Sequence, residues 1–248
     1  MLDRVAREEI KRRYYPSADE DVYGALEQAL NSYIAPGVAL LDAGCGHGSW
    51  ILREHRTKIG HLVGVDLVPP QRDHFLDEFI AADLESIPIA DSSFDIVLCY
   101  WVIEHLPRPG RVFLEFYRLL KPGGILIFET PNLFAPATLI SKVLPFWLHK
   151  RLYKRLLGVD EDEVFPTLYR SNTFGRLSQT LDDLGFKRDQ LTSVDHTYEL
   201  FVFQRIPFIA ALLWSRALHH LPAKLLRNHI IGVYKKETGS SKPIRGYP

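Results

Sequence analysis

Val38-Ala39-Leu40-Leu41-Asp42-Ala43-Gly44-Cys45-Gly46-His47-Gly48 is the stretch that decides how this chain is read. The apolar residues from Val38 to Leu41 run unbroken, as in a strand buried on both faces. An acid follows, and then three glycines alternate with other residues. Ser49-Trp50-Ile51-Leu52-Arg53-Glu54 opens a helical pattern, expected over 48–57. Glycine has no Cβ, so the backbone can turn sharply and a ligand can lie against it. The first N–H groups of a following helix would favour an anionic group there. Strand, glycine-rich loop and helix predict a site for a nucleotide-like cofactor.

The dinucleotide fingerprint is G-x-G-x-x-G. Here Ser49 stands where its last glycine would fall, which disfavours a nicotinamide dehydrogenase. No Gly-Lys-Ser/Thr follows, so the P-loop reading fails too. His61-Leu62-Val63-Gly64-Val65-Asp66 reads as a second buried strand ending in an acid. Asp66 lies 20 residues after Gly46, where the second strand's tip meets a bound ribose. A carboxylate there can accept from both ribose hydroxyls; the alternative is a plain strand-end turn. Phe79 to Leu84 reads as a third strand closing on Asp83, and Phe94 to Tyr100 as a fourth, opened by a structural Asp95. A helix is expected over 110–120, ended by Lys121-Pro122-Gly123-Gly124 as a glycine cap, before a fifth strand over 125–129. A helix over 172–185 and strands over 186–194 and 229–234 complete the pattern.

Asp42-x-Gly44-x-Gly46-x-Gly48 resembles motif I of the class I methyltransferases that use S-adenosylmethionine (SAM). From Leu40 to about Asn132 the chain is similar to the ubiquinone- and menaquinone-biosynthesis type of that superfamily. The residues that carry the likeness are Leu41-Asp42-Ala43-Gly44-Cys45-Gly46, Val65-Asp66, Ala82-Asp83-Leu84, Phe94-Asp95-Ile96-Val97, Glu104-His105-Leu106, Arg118-Leu119-Leu120-Lys121-Pro122-Gly123-Gly124 and Glu129-Thr130-Pro131-Asn132. The resemblance implies an α/β fold of Rossmann-like, doubly wound type, with a seven-stranded, mostly parallel sheet whose last strand is antiparallel, plus inserted helices. It implies cofactor contacts from Asp42, Gly44, Gly46, Gly48, Asp66, Leu67, Asp83, Leu84 and Tyr100. Asp83 would face the adenine amino group and the next N–H the ring. The product would be S-adenosyl-L-homocysteine (SAH).

His105 follows the fourth strand, whose tip should face the transferred methyl. A histidine suits proton abstraction near neutral pH, so His105 is the candidate catalytic base; the alternative is that it orders its loop. Tyr14 and Tyr15 either close over the cofactor or pack in the core. His47 reads as a loop filler.

Lys+Arg and Asp+Glu balance at 30 each, so no global field recruits nucleic acid, and an RNA substrate is not expected. Cys45 and Cys99, the only cysteines, read as small buried residues and not as a disulfide framework. No His-Glu-x-x-His, Cys-x-x-Cys or Gly-x-Ser-x-Gly occurs, so neither a metal site nor a hydrolase elbow is expected. The N-terminus lacks an apolar core for a signal peptide and no apolar run spans a membrane, which points to a cytoplasmic protein.

One domain is expected over 1–237, with N-terminal helices at 3–13 and 19–34 within residues 1–36, and a tail over 238–248. Helical insertions fall at 133–171 and 197–228. Their segments 137–157 and 206–227 mix Trp, Phe and Leu with Lys and Arg, and Pro145 should kink the first. Three readings stand for them: a cap on the sheet edge, a lid over the acceptor, or peripheral membrane contact. The expected activity is methyl transfer from SAM to a small-molecule or lipid-linked acceptor, at oxygen; a non-catalytic protein that binds SAM or SAH is the other class.

Overall fold

The computed structural model describes residues 4–14, 22–70, 74–143, 151, 165–202, 204–220 and 224–238. Tyr15, Pro145 and the tail from 239 onward lie outside them, as does the 137–157 segment beyond Val143, residue 151 apart. Helices α1 (Arg4–Tyr14) and α2 (Val22–Tyr33) precede strand β1 (Val38–Ala43). There follow β2 (Ile59–Asp66), β3 (Glu78–Ala81), β4 (Phe94–Tyr100), α3 (Pro109–Leu119), β5 (Leu120–Pro131) and α4 (Pro136–Val143). Then come α5 (Phe174–Asp183), β6 (Phe186–Val194), α6 (Arg205–His220) and β7 (His229–Lys236).

The seven strands form one sheet in the order β3-β2-β1-β4-β5-β7-β6. All run parallel except β7, which is antiparallel to both neighbours. The carboxyl ends of β1, β2, β4, β5 and β6 therefore share one edge with the start of β7. Alternation along the strands divides the core. Leu41, Val97, Phe128 and Tyr234 pack under α3 and α5, while Leu40, Leu98, Ile127 and Ile231 pack under α2.

Two local expectations give way. The helix expected over 48–57 is a 3₁₀ turn, Trp50–Leu52, followed by further turns. Its amides bond three residues back: Leu52 to Ser49, Arg53 to Trp50, His55 to Leu52 and Lys58 to His55. The reason is reach. The connection must return along the whole of β1, since Val38 pairs with Ile59. Six strand residues measure about 20 Å. The ten residues from Ser49 to Lys58 cover about 15 Å as α-helix but about 20 Å at the 3₁₀ rise.

The glycine cap at Gly123 is also absent. α3 stops at Leu119, and Leu120 is already extended at φ −70°, ψ 136°. Lys121 bonds both carboxylate oxygens of Asp95, at 2.9 and 2.8 Å, drawing the segment along the start of β4. Gly123, at φ +81°, takes up the slack where the pairing shifts from Phe94–Leu120 to Ile96–Ile125. Asp95 also accepts from the Ala39 amide at 2.9 Å, the structural part expected of it.

The 197–228 insertion is stitched down. Arg227, 9% exposed, donates to the carbonyls of Leu218, His219 and Ser193. Asn132 donates to the Leu225 and Arg227 carbonyls. α6 packs on α1 through Ile10, Tyr198, Phe208 and Leu212, with the Tyr14 ring against the same cluster. No helix among the described residues is long and apolar enough to cross a membrane.

Candidate active site

The glycine loop turns its amides inward. Gly44 and Cys45 donate to the Val65 carbonyl at 2.8 and 3.1 Å, and Gly48 to Cys45 at 2.7 Å. Gly46 donates to Asp66 Oδ2 at 2.8 Å, and Ser49 to Asp42 Oδ2 at 2.8 Å. Ser49 Oγ donates to Asp42 Oδ1 at 2.7 Å. These N–H groups are thus taken before any ligand arrives, and the expected anion cradle at a helix start is not built. A phosphate would find few donors here; an uncharged nucleoside needs none.

The glycines differ in role. Gly44, at φ +75°, would place a Cβ 2.3 Å from Val102 Cγ2, so it lets the loop pack on the segment after β4. Gly46, at φ +51°, would place a Cβ in open space with nothing within 4 Å. That open face, beside an accessible Asp66, fits the adenosyl part of the cofactor that the sequence implies. Gly48, at φ +93°, would place a Cβ 3.3 Å from the Phe75 ring.

Asp42 is fully buried, and burial pushes its pKa up to about 6 against the pull of its Ser49 bonds. It braces the loop from beneath. Asp66 stands at the β2 tip, with Leu67 exposed beside it. Asp83 lies just past β3, where Oδ1 accepts from the Glu85 amide at 2.9 Å and Leu84 is buried. Cys45 and Cys99 are buried and free.

His105 ends a 3₁₀ turn, Ile103–His105. Its Nδ1 donates to the Pro166 carbonyl at 2.8 Å, and burial lowers its pKa. The adjoining Glu104 is buried, accepts from Thr130 Oγ1 at 3.1 Å, and holds Leu168 and Tyr169 through its carbonyl. Asn172 donates to Thr130 Oγ1 at 2.6 Å. Burial, helped by the Glu129 charge, pushes the Glu104 pKa up to about 8. These contacts support the loop-ordering alternative for His105.

Beside Tyr100, which the family resemblance implies as a cofactor contact, the edge holds residues that local sequence patterns did not single out. Tyr100, at the β4 tip, neighbours Trp101 with ring centres 6.4 Å apart. Burial pushes the Tyr100 pKa far up, opposed by the indoles of Trp101 and Trp50 at its hydroxyl. Trp50 meets Tyr23 at 5.1 Å, and Tyr23 meets His196 at 4.9 Å. His196 faces His229 at 6.2 Å, and His229 meets Trp101 at 5.0 Å. Six aromatic side chains from five parts of the chain thus close a ring. The only sequence signal was a scatter of aromatic and histidine residues next to strand ends.

Comparison with known proteins agrees with this architecture. Residues 41–128 match the family described as "Methyltransferase domain". Within the seven-stranded sheet, residues 41–128 are thus similar to a methyltransferase domain. The chain is 36% identical over 134 residues to a ubiquinone biosynthesis O-methyltransferase of Hahella chejuensis, covering 46% of this chain and 56% of that protein. It is 33% identical over 100 residues to a malonyl-[acyl-carrier protein] O-methyltransferase of Yersinia pestis, covering 38% and 37%. The chain thus spans about half the length, or less, of these curated relatives. A solved S-adenosylmethionine dependent methyltransferase of Mesorhizobium loti shares the fold with a TM-score of 0.56 at 18% identity, over 89% of this chain and 99% of that one. The [4+2]-cyclase SpnF does so with a TM-score of 0.54 at 22% identity, over 87% and 81%.

Proposed function

We propose that this chain transfers a methyl group from SAM to an oxygen of a small-molecule or lipid-linked acceptor, with residues 1–237 acting as one domain. One observation carries the cofactor assignment: a loop in which the amides of Gly44, Cys45, Gly46, Gly48 and Ser49 are already paired, open at Gly46 and flanked by Asp66. Such a loop suits a nucleoside without phosphates. Asp66 accepts from the ribose hydroxyls, Asp83 and the Leu84 amide recognise the base, and Tyr100 closes the methyl end. Gly44 and Asp42 keep the loop in shape, and Gly48 backs it. The described part of the 197–228 insertion, held down through Arg227 and Asn132, borders the acceptor side.

When bound, SAM supplies an electrophilic methyl on a sulfonium. The protein's task is then to position the acceptor and exclude water, and positioning alone can supply roughly 7–11 kcal/mol of such a barrier. Calorimetry with SAH, SAM and NADH tests the assignment. SAM and SAH should bind and NADH should not, and Gly46→Arg should abolish binding. Methyl incorporation from labelled SAM into small-molecule extracts then separates an enzyme from a protein that only binds SAH.

A further inference from the structure

We propose that Glu129 and His229 are the proton-accepting pair of this chain, and that the acceptor is a flat aromatic molecule bearing a hydroxyl. This deepens the methyltransferase reading and rests on it.

Glu129 lies near the end of β5 and is fully buried. His229 opens β7 opposite Pro131, two residues along on the same face. Their side chains meet, Nδ1 of His229 against Oε1 of Glu129. A carboxylate accepts only, so Nδ1 carries the proton, and Nε2 keeps its lone pair. Among the described residues nothing bonds Nε2. That is the arrangement in which a carboxylate fixes the tautomer of a histidine base.

The surroundings are short of partners. Glu129 Oε2 and both ring nitrogens of His196 are buried without a hydrogen bond among the described residues. Each such group costs about 1–3 kcal/mol when left unmade. Three of them gathered at one sheet edge point to a polar ligand that completes the set. His196 is held neutral chiefly by burial, with the nearby Lys11 adding to it, so it can hydrogen-bond a hydroxyl without competing for the proton. Trp101 adds a second, separate observation. Its backbone sits at φ +59°, a strained value for a bulky residue, and this sets its indole 5.0 Å from His229. Trp50 and Trp101 remain 53% and 42% exposed, leaving aromatic surface for a flat partner.

The chemistry follows. The acceptor's O–H bond breaks and its proton passes to His229 Nε2. The oxygen forms a new bond to the methyl carbon, and the methyl–sulfur bond breaks with its electron pair left on sulfur. The imidazolium formed is neutralised by Glu129 and later returns its proton to water. A carboxylate acceptor would need no such base, so the pair selects a hydroxyl.

The test uses 4-nitrocatechol, whose phenolate has its own visible band, with the protein free of any methyl donor and at a pH below the free probe's pKa. The wild-type protein should bind the probe and raise its phenolate band. His229→Gln should cut the bound phenolate fraction at least tenfold, and Glu129→Gln several-fold, while His105→Gln leaves it unchanged. A band that survives His229→Gln, or a probe spectrum that the wild-type protein does not alter, overturns the proposal. Should His229→Gln fail to fold, Glu129→Gln carries the test, and an unchanged band there overturns it. SAH calorimetry alongside separates the two readings: protein that binds SAH without shifting the probe loses only the pair, whereas protein that binds no SAH loses the methyltransferase assignment.

Discussion

The two halves of the sheet's carboxyl edge are built on opposite principles. At β1 and β2 the amides of Gly44, Cys45, Gly46, Gly48 and Ser49 have found acceptors within the chain. At β5 a buried carboxylate oxygen, and just past β6 the two ring nitrogens of His196, have not. The first half is finished before any ligand binds; its rigidity is what lets it present an open glycine face. The second half is incomplete alone, and a ligand's hydroxyl would complete it. Preorganised binding and unsatisfied chemistry thus sit about one strand apart.

The sharpest way to break this contrast lies within the loop. Gly44→Ala forces a Cβ onto Val102, at 2.3 Å and at positive φ. We expect a loss of about 3 kcal/mol in stability by urea titration, with SAH affinity down more than 100-fold. Gly46→Ala meets open space, so it should cost only about 1 kcal/mol while weakening SAH about tenfold. Were Gly46→Ala the more destabilising of the two, the division between packing glycine and ligand glycine would be lost. Next, Asp66→Ala removes the acceptor of the Gly46 amide. A charged hydrogen bond is worth about 1.5–3 kcal/mol, so SAH should bind roughly 10–100-fold more weakly by calorimetry.

Glu104 sharpens the comparison from the other side, because it is buried yet bonded. Its folded pKa, about 8, lies above the ordinary 4.5, so folding disfavours its charged form. The unfolded chain therefore releases that proton first, and stability must fall as pH climbs from about 4.5 to about 8. Glu104→Gln should flatten that fall and stabilise the protein by about 1–3 kcal/mol at pH 8, with little change at pH 4. Thermal melts at the two pH values give the answer. The smallest effect should come from His105→Ala. Its bond to Pro166 orders a loop, so labelled-methyl turnover should fall only a few-fold with SAH affinity intact. A drop of a thousandfold would return the base to His105.

Much of the first half was legible in order. An apolar run, an acid and spaced glycines name a buried strand and a sharp turn, and Asp66 sits where β2 must end. The helix over 48–57 was misread because helical spacing says nothing of the distance the connection must cover. The Gly123 cap was misread because a glycine after a helix looks the same whether it ends the helix or bulges the next strand; the Lys121–Asp95 bond chose the latter. The aromatic ring was not legible, since Tyr23, Trp50, Trp101, His196 and His229 come from segments far apart in the chain.

The amino-acid order determined what depends on neighbours: which stretches are strands, where the backbone needs glycine, and which acids close the first strands. Only the tertiary structure decided that Glu129 and His229, 100 residues apart, share one face beside Trp101. The cause is the reversed β7. Its antiparallel run brings His229 to the edge where the parallel strands end, a placement set by sheet pairing and by no local pattern.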